Sequence, residues 1–290
     1  MTDNPRSMSP AMIDHISVII VTKNEARHIK RCLAALSKSF ADIYVVDSQS
    51  TDGTLDIARG YGAKCMSYQW DDRYPKKRGW CLENIKTLQD WVLFVDADEI
   101  VTEDLAEALA YIPLSGAGYF IESRYALSGK VLRFGARNKK LCLLNRHKMS
   151  FPAIDDLDIA GMGEIEGHYQ PVRRSYFARE AIGTIYGAYM LHYAFEDETA
   201  WRTRHERYAQ WEAQMSVRNL WPRDPVLYRQ ILKRIFRALP FRGTAAFLHS
   251  YVLTFGILDG MDGLRFARAR GWYYRRIAQE IRAIKKVKKV

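Results

Sequence analysis

Residues 16–21, ISVIIV, form an unbroken β-branched run, and the polar stretch TKNE at 22–25 separates it from Ile29, Cys32, Leu33 and Leu36 at helical spacing. That order is strand, turn, helix. A second β-rich run at 43–46 ends at Asp47 and meets SQSTDGT, where Ser50, Thr51 or Asp52 can cap a helix carrying Leu55, Ile57 and Ala58. The pattern then predicts a third strand at 63–68, a third helix within 75–88 and a fourth strand at 91–95. Strands that alternate with helices and are apolar at nearly every position must be covered on both faces. The prediction is an α/β fold around a mostly parallel central sheet.

In open sheets of this kind the ligand crevice lies beyond the C-terminal ends of the strands. Three polar clusters fall at such ends: residues 22–25, 47–52 and 96–99. Asp52 is explained equally well as a cap, whereas Asp47 is the better ligand candidate. Asp96 and Asp98 are two residues apart on extended chain, so their side chains point the same way. Paired carboxylates suit a hard cation such as Mg²⁺, which takes one or two protein carboxylates and fills its shell with water and phosphate oxygens. The alternative for this pair is a solvated strand end that caps a helix.

The stretch FPAIDDLDIAGMGEIEGHYQP at 151–171 is acidic and punctuated by glycine, the composition of an active-site loop. Its carboxylates, Asp155, Asp156, Asp158, Glu164 and Glu166, are candidates for a general base. His192, between Leu191 and Tyr193, is either a metal ligand or a packed core histidine, with His168 a weaker candidate for chemistry. KKR at 76–78 reads locally as the solvated basic start of a helix.

Hydrophobic content of 48% and charged content of 27% are those of an ordinary globular protein, which argues against disorder and against a multispanning membrane protein. The four cysteines have no C-x-x-C spacing, so neither a zinc site nor a disulfide framework is indicated. The N-terminal residues lack the pattern of a secretory signal, and a cytoplasmic protein is expected. The net charge of +11 is uneven, with +14 from residue 201 onward and −3 before it. Three segments in that third, WRTRHERYAQWEAQM, YRQILKRIFRALPF and LRFARARGWYYRRIAQEIRAIKK, have amphipathic helical spacing with basic polar faces. Such helices either bind an anionic membrane surface or pack on the preceding domain. The apolar run 243–258 falls short of a spanning helix and is expected to be buried or shallowly inserted. Nucleic-acid binding ranks low, because the basicity is confined to one third and no recognised motif accompanies it.

Taken in order, SVIIVTKNEA, IYVVDSQSTDGT and DWVLFVDADE resemble the family 2 glycosyltransferases with the GT-A fold, and within them the lipopolysaccharide-core β-1,4-glucosyltransferases. The resemblance spans residues 16–100. It implies a GT-A domain at 16–200, preceded by a tail at 1–15 and followed by a basic helical extension at 201–290. It further implies inverting transfer from a UDP-sugar to a lipid-linked or glycolipid acceptor, on the inner face of a membrane. Thr22, Asn24, Glu25, Asp47, Arg78 and Asp96 would contact the nucleotide. Asp98, with Asp96 and His192, would hold Mg²⁺ or Mn²⁺, and Glu164 would be the base, with Asp156 and Glu166 as alternatives. Gly79 and Gly163 depart from the family pattern, which has Asn and His at these places. A noncatalytic nucleotide-sugar-binding scaffold is the competing reading.

Overall fold

A computed structural model describes residues 12–127, 129–167, 169–195 and 197–287. The first half alternates strands and helices: β1 (Ile13–Thr22), α1 (Ala26–Leu36), β2 (Phe40–Asp47), α2 (Thr54–Gly60), β3 (Lys64–Ser67), α3 (Lys77–Asn84) and β4 (Trp91–Asp96). After β4 come β5 (Glu99–Val101), α4 (Glu103–Tyr111), β6 (Gly118–Leu127), β7 (Lys130–Val131), β8 (Asn138–Asn145), β9 (Met149–Ser150), β10 (Val172–Arg173) and β11 (Ile182–His192). Four helices follow: α5 (Glu198–Arg218), α6 (Leu227–Ala238), α7 (Arg242–Leu248) and α8 (Gly260–Val287). Residues 13–15, expected in the tail, belong to β1, where Ile13 pairs with Phe40.

The main sheet runs β3-β2-β1-β4-β8-β6-β11-β5, with β7 attached to β6. The strands β3, β2, β1 and β4 are parallel, as the apolar runs predict. Beyond them the expectation of a mostly parallel sheet needs correction. β8 lies antiparallel to both β4 and β6, and β5 antiparallel to β11, so the sheet as a whole is mixed. The parallel half is packed on both faces: Ile16, Val18, Ile19 and Ile20 of β1 are fully buried, as are Ile29, Cys32, Leu33 and Leu36 of α1.

The basic C-terminal third divides helix by helix. α5 and α8 pack on the sheet-containing part: Trp201, Phe266, Tyr273 and Ile277 form a second core with Leu127 and Leu132. A third core joins Trp211 and Met215 of α5 to Ile159, Met162 and Tyr169 of the 151–171 segment. α6 contributes no buried residue. The run 243–258 breaks into α7, a π-helical turn at His249–Leu253 and a 3₁₀ turn at Gly256–Asp259. Of the two expected alternatives, burial holds only in part: Gly243, Ala246, Ser250 and Gly256 are buried, whereas Leu253, Phe255 and Leu258 are exposed. Among the described residues no helix is long and apolar enough to cross a membrane.

Candidate active site at the strand ends

β1 and β2 finish side by side, with Thr22 opposite Asp47. Thr22 Oγ1 donates to Asp47 Oδ1 at 2.8 Å, and Ser50 donates to the same carboxylate from its backbone N at 2.7 Å and from Oγ at 2.5 Å. Both Thr22 and Asp47 are only 1% exposed. Their side chains hold the two strand ends and the following loop together. Asn24, at φ 57, accepts from Thr51 N at 2.9 Å and ties the first loop to the second. Asp52 Oδ2 accepts from Ala26 N at 2.9 Å and Oδ1 from Thr54 N at 3.1 Å, so one carboxylate serves the first turns of both α1 and α2. Ser48 Oγ, which sequence reading passed over, is buried at this edge without a protein partner.

β4 delivers Asp96 to the same edge between two cations. Arg78 Nη2 donates to Oδ1 and Lys140 Nζ to Oδ2. Lys140 Nζ also lies 2.8 Å from Oε2 of Glu99, which is fully buried and accepts from Asp96 N at 3.1 Å and Ser123 Oγ at 3.2 Å. Burial pushes the Asp96 carboxyl upward, but Lys140 and Arg78 outweigh it and hold the group well below the usual range. Each carboxylate oxygen of Asp96 is thus held by a cation. Arg78 likewise holds Asp96 and does not stand free in the crevice.

Asp98 meets different surroundings. Its Oδ1 is 3.5 Å from His192 Nε2, and its backbone carbonyl accepts from Tyr193 N at 2.9 Å. The antiparallel pairing of β11 with β5 places His192 opposite Glu99, and its ring stacks on Tyr125 with centroids 5.1 Å apart. Burial raises the Asp98 carboxyl and lowers the His192 imidazole, yet their mutual attraction dominates, leaving Asp98 below and His192 above its ordinary value. Nδ1 of His192 is buried without a partner. Glu25, at the end of the first loop, lies within electrostatic reach of this pair. Burial, then the charges of Asp98 and Asp96, push its carboxyl up to about 7, with Arg204 opposing. Among the described residues no three metal-binding side chains form a preformed cluster.

The KKR segment at the start of α3 is not solvated, contrary to its local reading. Lys76 Nζ is 2.8 Å from Asp156, Lys77 Nζ is 3.0 Å from Glu164, and Arg78 holds Asp96. Asp156 is buried and also accepts from Tyr74 OH at 2.7 Å and Trp211 Nε1 at 2.9 Å, so it is a saturated structural anion and not an available base. Glu166, buried and raised chiefly by that burial, accepts from Gly79 N at 3.0 Å in the first turn of α3. Its place is that of an anion at a helix N-terminus. Glu164 keeps partial access; its partner Lys77 donates to Thr22 O at 2.9 Å, which ties the acidic segment to the end of β1. His168 lies outside the described residues. Lys140 and Arg204 had no signal in the sequence, since their places depend on the β4–β8 pairing and on the packing of α5.

A mixed sheet whose parallel half ends in an aspartate pair beside a histidine, backed by a loop clamped to the following helix, defines a GT-A glycosyltransferase architecture. The model for "Glycosyl transferase family 2" matches residues 17–179, and the chain belongs to that family. An uncharacterized glycosyltransferase of Rickettsia conorii is 33% identical over 105 residues, 36% of this chain and 36% of its own. The glycosyltransferase SunS of Bacillus subtilis is 31% identical over 87 residues, 29% of this chain and 20% of its own. The match thus spans about a third or less of the length of these relatives. A mannosyltransferase from Pyrobaculum calidifontis, solved in complex with GDP-Man and Mn²⁺, shares the fold at a TM-score of 0.51 and 15% identity, over 94% of this chain and 88% of that one.

Proposed function

We propose that this protein transfers a sugar with inversion from a UDP-sugar to a lipid-linked or glycolipid acceptor of the lipopolysaccharide or exopolysaccharide type. The observation that carries the reading is the Asp98–His192 pair, 3.5 Å apart at the ends of the parallel strands and within electrostatic reach of Glu25. A carboxylate oxygen and an imidazole nitrogen suit Mg²⁺ or Mn²⁺, and the like charges that raise Glu25 are what a bound cation would relieve. The residues fit the ion, with Asp98 and His192 as its protein ligands and donor phosphates and water to complete the shell. Such an ion supplies charge stabilisation for the departing diphosphate. The Mn²⁺ and GDP-Man in the P. calidifontis mannosyltransferase support a nucleotide-sugar donor with a divalent ion, and UDP and a lipid-linked acceptor rest on the resemblance of the motifs at 16–100 to lipopolysaccharide-core enzymes.

Of the three candidate bases, Asp156 and Glu166 are buried, whereas Glu164, although paired with Lys77, keeps partial access to the crevice side, and the role is assigned to it. Its carboxylate takes the proton from the attacking acceptor hydroxyl as the bond to the anomeric carbon forms. The Glu164→Gln variant should lose at least ~100-fold in turnover while keeping donor affinity. Loss of donor affinity with turnover kept would make Glu164 a nucleotide-side residue. The donor assignment is tested by turnover of UDP-, GDP- and dTDP-sugars with and without Mn²⁺. Metal-dependent use of a UDP-sugar, abolished in Asp98→Ala, is expected. UDP binding without turnover of any sugar would instead favour the noncatalytic scaffold.

A further inference from the structure

An amphipathic helix on a globular protein turns its apolar stripe to the core. α6 does the reverse. Leu227, Tyr228, Ile231, Leu232 and Ile235 are 48–72% exposed. The inward side is mostly cationic: Lys233 Nζ is 2.7 Å from Asp224, Arg229 lies over the Phe120 ring at 4.5 Å, and Arg237 lies over Trp221 at 3.7 Å. Phe236 is placed inward, its ring centroid 4.8 Å from that of Tyr274 of α8. The chain then exposes Phe241, Leu253, Phe255, Leu258 and Met261. Of the twenty-two exposed large hydrophobic side chains among the described residues, fourteen fall between 227 and 261. An apolar surface so concentrated marks an interaction site.

We propose that the outward face of α6 and the exposed residues of 248–261 dock the protein onto an anionic lipid surface, with the apolar side chains inserted at headgroup depth. The inference rests on the proposed acceptor class for its purpose, because docking would bring the sugar site to an acceptor held in the bilayer. Charge selects the occupant. Of the five basic residues in 227–261 Arg234 is the exposed one, and the exposed Arg223 and Arg133 border the patch, against a single acid, Asp259. That acid accepts from Arg133 N at 3.0 Å and Phe134 N at 2.9 Å, so it is tied to the protein's own loop. A second copy of the chain would bring the same positive sign to the contact, whereas phosphatidylglycerol brings the opposite one. Basic residues beside aromatic and aliphatic ones on a helix that no core claims are the chemistry of interfacial binding.

The test is co-flotation of the full chain with phosphatidylcholine vesicles, with and without phosphatidylglycerol, beside turnover of the soluble donor without lipid. Wild-type protein should float with the anionic vesicles and be released by salt. Ile231→Asp/Ile235→Asp and, separately, Leu253→Asp should each weaken flotation by roughly tenfold or more, with donor turnover intact because these side chains face solvent. Unchanged flotation in both variants overturns the inference. So does a wild-type dimer that dissociates in the variants while flotation is unaffected, because the occupant would then be a second copy. Failure of the donor reading shows differently, as absent UDP-sugar turnover in protein that still floats.

Discussion

Asp96 and Asp98 are separated by one alanine and meet opposite surroundings: two cations grip the first, and the second pairs with a histidine within electrostatic reach of the Glu25 carboxyl. The alternation that puts both on one side of the strand was legible in the sequence. The partners were not, because Lys140 arrives on β8 through a nonlocal pairing. Replacing Lys140 by Met leaves buried Glu99 without its cation and Asp96 with Arg78 alone. A loss of about 3–5 kcal/mol in urea unfolding is expected, and a change below ~1 kcal/mol would mean that water already screens these carboxylates. Glu25 gives a pH signature. Its folded value of about 7 exceeds the ordinary 4.5, so its contribution to stability is fully present below 4.5 and is lost as pH rises through about 7. Metal-free wild-type protein should therefore lose thermal stability relative to Glu25→Gln across that window, and Mn²⁺ should narrow the gap. A pH-independent difference between the two proteins would contradict the crowding of charge at this site.

The helices and strands of the first half follow from their own periodicity, and α1, β2 and β4 lie within a few residues of expectation. What periodicity cannot show is which segment a polar run will meet. KKR looks solvated in sequence, yet each of its residues meets a different acid, two of them from the 151–171 segment. That segment is clamped from its other side by α5, where the Trp211 ring lies against Gly167. A Cβ on Gly167 would stand 2.2 Å from the ring, closer than atoms approach. Gly167→Ala should cost about 1–3 kcal/mol, read as a lowered Tm. An unchanged Tm would show that α5 does not hold this segment. The same nonlocality made the three carboxylates of the segment look interchangeable, although the fold gives each a separate partner.

At the scale of the whole molecule, the sequence showed a basic third with amphipathic spacing but not how its helices would divide. α5 and α8 bury their apolar positions against the family 2 domain, and α6 turns its own outward. Three helices of similar composition part ways because aromatic residues of α5 and α8 find partners at Leu127, Leu132 and Tyr169, while the cations of α6 find Asp224, Phe120 and Trp221. The outcome places the proposed nucleotide-sugar site and an apolar surface on one chain. Whether the strand ends act as a metal-dependent donor site is read most directly by isothermal titration with UDP, with and without Mn²⁺, on wild-type protein and Asp98→Ala. Saturable UDP binding that requires Mn²⁺ and weakens at least ~10-fold in Asp98→Ala is predicted. UDP binding that ignores both the metal and the substitution would contradict the account.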